Sequence, residues 1–201
     1  VVVTVDSVYG AEQIAQHIEA KKQVAVADVL LVTKTDLATT AQIEDLQNTL
    51  SELNAGASQH LIEQGNIDPA DIIDIGLFNA EKQATPQRWL RAPSKNKGLL
   101  GGNHSEAIQS FTITLPSPLS YDQLEPKLEW LCENHGENLL RLKGILHVDD
   151  QPAPLAVHAV HKTLYTPTLL NGWTEEPAVS RLVLIGQDLD ENAIRKALMQ
   201  V

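Results

Sequence analysis

Two short apolar runs, Val1-Val2-Val3-Thr4-Val5 and Val29-Leu30-Leu31-Val32, limit the possible folds more than any other feature of the chain. Neither alternates apolar with polar residues, so both faces of each strand need cover, and parallel strands flanked by helices provide it. The intervening residues supply the crossover, with Ala11 to about Val24 reading as a helix that turns Ile14, Ile18 and Val24 inward. The expected unit is a parallel βαβ. A core strand at residue 1 also leads us to expect a segment ahead of it.

After Asp36 the next helix is well signalled. Thr39 and Gln42 have capping-box spacing, and Ile43, Leu46, Leu50 and Leu53 follow at helical intervals until Gly56. His60 to Glu63 reads as a short third strand, and Asp68-Pro69 as the cap and first position of a brief helix through Ile75. A first domain therefore spans 1–79. Residues 80–106 lack periodicity and carry Lys95-Asn96-Lys97-Gly98 and Gly101-Gly102-Asn103, which predicts a linker, with Trp89 and Leu90 docking on one of its neighbours. A second domain, 107–201, opens with the alternating strand Ser110 to Leu115. A helix bearing Leu124, Leu128 and Leu131 follows, starting late at Glu125 or bending because of Pro126. Leu140 to Val148 and Leu155 to Val160 flank a turn and predict an antiparallel hairpin. Arg181 to Ile185 is the last strand, and Leu189, Ile194 and Leu198 mark the last helix. Such a pattern is an α+β layer.

A net charge of −11 argues against nucleic acid or anionic lipid as the main partner, since both are held by clustered Lys and Arg. The single Cys132 excludes an internal disulfide and any multi-cysteine zinc site, and no stretch approaches the ~20 apolar residues of a membrane span. A cytoplasmic location is expected. The residues richest in chemistry are Thr33-Lys34-Thr35-Asp36, which directly follow a buried strand, where nucleotide-binding α/β sheets place their ligands. There Asp36 can accept two hydrogen bonds from the imino and amino groups of guanine while the Lys34 stem lies along the ring. Taken alone, the tetrapeptide serves equally as a strand-to-helix turn with solvated side chains.

Other segments add weight to the first alternative. Val5-Asp6, Gln23-Val24-Ala25-Val26-Ala27-Asp28, Thr33 to Leu37, Leu53-Asn54-Ala55-Gly56-Ala57, Gly65-Asn66-Ile67-Asp68, Leu140 to Gly144, Asn171-Gly172-Trp173 and Arg181 to Gly186 together resemble the CobW family of P-loop GTPases along essentially the whole chain. The resemblance implies α/β plus α+β architecture: the C-terminal half of a GTPase parallel sheet, then a CobW-type antiparallel sheet with helices on one face. It implies that Thr33, Lys34 and Asp36 select guanine and that Asn54, Ala55 and Ala57, together with Gly65-Asn66-Ile67-Asp68, belong to a segment closing over the base. For the intact protein it implies GTP with Mg²⁺, zinc or cobalt as cargo, and a metalloprotein client. Thr33 stands where many GTPases carry Asn, so its hydroxyl braces the loop with fewer groups.

The phosphate-cradling loop, Gly-x-x-x-x-Gly-Lys-Ser/Thr, has no match in the 201 residues, and neither does the family's cysteine-rich metal motif. Gly98 to Gly102 lacks the Lys-Ser/Thr ending. Hydrolysis by these residues alone is therefore not expected, and a non-catalytic protein-interaction module is the alternative reading. His158 and His161 lie three apart on an expected strand, hence on opposite faces, and do not chelate together. His104 is the one histidine where relatives resemble a histidine-rich tether. Arg141 and Lys143 share a strand face, suited to an acidic partner or a phosphate, although such pairs are most often solvated.

Overall fold

The computed structural model describes residues 1–73, 108–149, 151–170 and 178–199. The expected linker 80–106, with Trp89, Leu90 and His104, lies outside these residues, as do Ile75 and Asn171-Gly172-Trp173.

The apolar runs become neighbouring parallel strands. β1 (Val2–Asp6), β2 (Val29–Thr33) and β3 (Ser58–Leu61) form one sheet in that order, with Val5 beside Val32 and Val32 beside Leu61. Helices α1 (Gly10–Gln16), α2 (Ile18–Val26) and α3 (Thr40–Leu53) cover one face, packing Ile14, Val24, Leu46 and Leu50 on Val5, Leu30 and Val32. On the other face Val29 and Leu31 meet Ile62, with Ile67 and Ile72 against them, the last from the short helix α4 (Ala70–Ile73). Helix α3 starts where its sequence says it should. Gln42 donates its backbone N–H to the Thr39 hydroxyl at 3.3 Å, and the Gln42 side-chain oxygen accepts from the Thr39 N–H at 2.9 Å.

The single helix expected over Ala11 to Val24 is two, broken at His17, whose backbone is extended. The break has a packing reason, because α2 serves two neighbours. Val24 enters the core beneath the parallel sheet, while Ala25 lies against Leu140 and Ile185 of the second sheet. One straight helix cannot aim both faces while keeping Ile14 buried.

Close approach of α1 to β1 requires Gly10, where an added Cβ would lie 2.6 Å from Val5 Cγ1. Val5 is β-branched and buried, so it has no alternative rotamer into which to withdraw. Gly10→Ala is expected to cost about 1–3 kcal/mol through overpacking. Urea unfolding checks this, and an unchanged midpoint would mean that the helix can lift off at no cost.

The second sheet is built from β4 (Ile108–Leu115), β5 (Leu139–Leu146), β6 (Leu155–Val160), β7 (Thr163–Leu164), β8 (Thr168–Leu169) and β9 (Ser180–Gln187). Their order is β4-β9-β5-β6-β7, all antiparallel, with β8 also pairing with β6. The expected hairpin is β5 and β6, and the last strand slots between β4 and β5. Helices α5 (Tyr121–His135) and α6 (Glu191–Met199) cover one face, where Leu124, Leu128, Leu131, Ile194 and Leu198 pack on Ile113, Leu142, Val157 and Leu184. Pro126 neither delays α5 nor ends it, since the helix starts after Ser120 and runs through the proline. Pro126 and Asp122 are both exposed, so the carbonyl that the ring leaves without an intrahelical donor faces water. Leu189 is buried but precedes α6 rather than belonging to it. Among the described residues no helix is long and apolar enough to cross a membrane.

Candidate functional site

Three strands of the parallel sheet deliver their last residues to one edge. β1 ends in Asp6 and Ser7, β2 in Thr33 and Lys34, and β3 leads into Ile62. The loop after β2 is held from both sides. Ser7 donates its N–H to the Thr33 carbonyl at 3.0 Å and its hydroxyl to the Lys34 carbonyl at 2.8 Å. On that same flank the Thr33 hydroxyl donates to the Val5 carbonyl at 3.3 Å, and on the opposite flank the Thr35 hydroxyl donates to the Ile62 carbonyl at 3.2 Å. Thr33 thus braces the loop through a single side-chain bond.

Lys34 adopts the left-handed backbone conformation, φ 59°, which a side-chain-bearing residue adopts only when its surroundings demand it. The turn sends the chain into one 3-10 turn, Thr35–Leu37, closed by the Leu37 N–H on the Lys34 carbonyl at 2.9 Å. Asp36, in the middle of that turn, is exposed. Among the described residues no hydrogen bond or ion pair engages its carboxylate, which leaves both oxygens available to a ligand's N–H groups.

The Lys34 ammonium donates to Asp6 Oδ2 at 2.6 Å, and the other Asp6 oxygen accepts the Val8 and Tyr9 N–H groups at 2.8 and 3.2 Å. Partial burial pushes the Asp6 carboxyl up, but the Lys34 hydrogen bond and the two backbone donors outweigh it and hold the group below its ordinary value. Lys34 is correspondingly raised by the hydrogen bond and charge of Asp6.

Asn54, Ala55 and Ala57 do not join this group. They fall between α3 and β3, and Ser58 begins its strand beside Val29, so they sit at the amino edge of the sheet. The length of β2 separates them from Lys34, about 15 Å at ~3.3 Å per residue. Asn54 is buried and its amide donates to the carbonyls of Val24, Ala25 and Ala27 at 2.9, 3.1 and 2.9 Å, which ties the end of α2 to the end of α3. The reading of these three as base-closing residues is therefore corrected to a structural one. The other segment read in that way, Gly65-Asn66-Ile67-Asp68, does begin at the carboxyl edge, where Gln64 and Gly65 both take positive φ and Asn66 donates to the Glu63 carbonyl at 2.9 Å. Asp6 and Ser7 are the residues the sequence reading missed as contributors, although a strand ending in Val-Asp beside the Thr33–Asp36 strand is the signal that marks them.

Arg141 and Lys143 meet an acidic group inside the chain. Their face of β5, opposite α5 and α6, packs on α2, and both are buried. The Arg141 guanidinium donates to Asp28 and to the Val26 carbonyl at the end of α2, while Lys143 Nζ lies 3.5 Å from Asp28 Oδ1. Burial raises the Asp28 carboxyl, yet Arg141 and Lys143, together with the Val1 ammonium that donates to Asp28 Oδ2 at 2.6 Å, hold it below its ordinary value. Burial and the neighbouring guanidinium depress Lys143 to about 7, against the pull of Asp28. His158 lies directly across from Lys143 on β6 and stacks on Tyr165, rings 4.5 Å apart and 8° from parallel. His161 has left the strand with φ 51° and places Nδ1 3.2 Å from the Gly136 carbonyl, so the two histidines do not converge. Among the described residues no group of three or more His, Cys, Asp and Glu side chains is disposed to hold a metal ion.

Comparison with known proteins places both halves. A sequence profile described as CobW/HypB/UreG, nucleotide-binding domain, matches residues 1–60, and one described as cobalamin synthesis protein cobW C-terminal domain matches residues 108–201. The zinc chaperone YjiA of Escherichia coli (strain K12) is 30% identical over 200 residues, which cover 98% of this chain and 59% of the relative. The zinc-bound crystal structure of the E. coli YjiA GTPase superposes with a TM-score of 0.68 at 29% identity, covering 98% of this chain and 58% of that one. A zinc-bound triple mutant of YjiA gives 0.69 at 30% identity, covering 96% and 57%. The chain thus spans less than two thirds of the length of each.

Proposed function

Because the chain belongs to the CobW family of GTPases, we propose that its parallel half supplies the guanine-reading edge of a GTP site in a GTP-dependent metal-delivery protein. Zinc is the favoured cargo over cobalt, since the relative at 30% identity is named a zinc chaperone and was crystallised with zinc. The client is a cytoplasmic metalloprotein. The observation that carries the reading is Asp36, an available carboxylate at the carboxyl end of a buried parallel strand, on a loop braced from both neighbouring strands. Guanine offers two N–H groups to such a carboxylate and adenine does not, so the site discriminates by base without touching phosphate. The triphosphate and Mg²⁺ fall outside what these residues hold, because no Gly-x-x-x-x-Gly-Lys-Ser/Thr loop is present among them.

Titration of the chain with GMP and AMP isolates the base, as the two ligands share sugar and phosphate. The parent is expected to prefer GMP. Asp36→Asn, which removes one acceptor and the charge, should reduce that preference by about tenfold, the loss of roughly 1.4 kcal/mol of hydrogen bonding to a charged acceptor. An unaltered GMP-to-AMP ratio would reduce Asp36 to a solvated turn residue.

A further inference from the structure

We infer that Asp6 and Ser7 form a bracket that holds Lys34 at both ends and stretches its methylene stem into a shelf for the base, which makes Asp6 a positioning residue for guanine selection. The inference rests on the base-reading role proposed above and names the residues that set it. Three observations converge on it. Asp6 and Ser7 are consecutive, at the point where β1 leaves the sheet, and Asp6 is the register neighbour of Thr33. Ser7, itself buried, fixes the Lys34 backbone through its carbonyl at 2.8 Å, while Asp6 fixes the ammonium at 2.6 Å. Between these two anchors lie four methylenes on the exposed side of a residue held at positive φ, a geometry with a local conformational cost.

The second oxygen of Asp6 adds to the arrangement. By accepting from Val8 and Tyr9 it makes the turn out of β1, so one carboxylate positions both the start of α1 and the head of Lys34. A free lysine samples many rotamers, and a planar ligand that packs on its stem must first order it. The bracket imposes that order before the ligand arrives. Two carboxylates then have distinct tasks at this edge: Asp36 meets the ligand, and Asp6 acts through Lys34.

Asp6→Asn keeps an oxygen for the Val8 and Tyr9 amides while removing the charge that holds Lys34, and Lys34→Met keeps an apolar stem while removing its head. Each is expected to weaken GMP binding about two- to fivefold, the range of an exposed ion pair, with little change in melting temperature. The double variant should be no weaker than either single one, because both break the same link. Independent losses that multiply in the double variant would overturn the inference, and so would full GMP preference in Asp6→Asn. A direct readout comes from the Lys34 amine followed by NMR. It should titrate above the usual lysine range in the parent and fall back to it in Asp6→Asn. Should the parent show no preference for GMP, the base-reading proposal fails on its own. The bracket is then decided by this titration: a drop in Asp6→Asn supports it, and identical titrations in the two proteins contradict it.

Discussion

Asp28→Asn is expected to lower the stability of the chain by about 3 kcal/mol, more than any substitution at the nucleotide edge. Arg141 is 5% exposed and cannot shed its proton, so without the Asp28 charge a buried guanidinium keeps, among the described residues, the Val26 carbonyl and whatever the amide offers. Its Nε has no partner among the described residues even in the parent, which leaves little reserve. Lys143 loses an ion-pair partner at the same time. Asp28 itself is partly exposed, its side chain at 31%, which is why the figure sits at the lower end of what breaking a buried pair costs. Chemical denaturation of the two proteins gives the difference. The Lys162–Glu137 pair, at 3.0 Å but with both side chains more than half exposed, is the internal control, since Glu137→Gln should cost well under 1 kcal/mol. Equal effects at the two sites would mean that Arg141 is hydrated and that β5 does not dock tightly on α2.

The same contact predicts a pH dependence of uncommon direction. Lys143 titrates near 7 in the folded chain and near 10.5 when unfolded. Between these values the unfolded state carries the extra proton, so stability should rise with pH from about 7 toward 10.5, by up to roughly 1.4 kcal/mol per unit. Asp28 contributes in a different window. Its folded value is depressed, so its stabilisation is present above the ordinary carboxylate range and is lost as the medium becomes strongly acid. Denaturation midpoints at pH 7, 8 and 9 should climb in the parent and stay level in Lys143→Met. A parent that is flat over this range would mean that Lys143 stays charged and hydrated in its site.

How much of this was legible depended on the range of the forces involved. The α3 cap is a contact between residues three apart, and Thr39 with Gln42 announces it completely. The placement of Thr33 to Asp36 at a carboxyl edge likewise follows from one buried strand and its direction. The break at His17 did not announce itself. It exists because Ala25 must meet Leu140 and Ile185, residues more than a hundred positions away. The burial of Arg141 and Lys143 was hidden for the same reason, since strand alternation shows that they share a face but not that α2 covers it. Asn54 to Ala57 were misplaced although the information was present. In a parallel sheet, a segment that runs from a helix into the next strand lies at the amino edge, away from the site, and the order of α3 and β3 was already expected. The two short strands Thr163–Leu164 and Thr168–Leu169 carry too few residues for any periodicity to reveal them.

Guanine reading at the carboxyl edge of the parallel sheet, as proposed, requires a defined footprint on the chain. The most direct test is to map amide chemical-shift changes in the labelled 201-residue chain as GMP and then AMP are added. GMP is expected to perturb Asp6 to Tyr9, Thr33 to Leu37 and Glu63 to Asn66, Asn54 to Ala57 to stay silent, and AMP to have far weaker effects. Changes centred on Asn54 to Ala57, or equal responses to the two nucleotides, would contradict it.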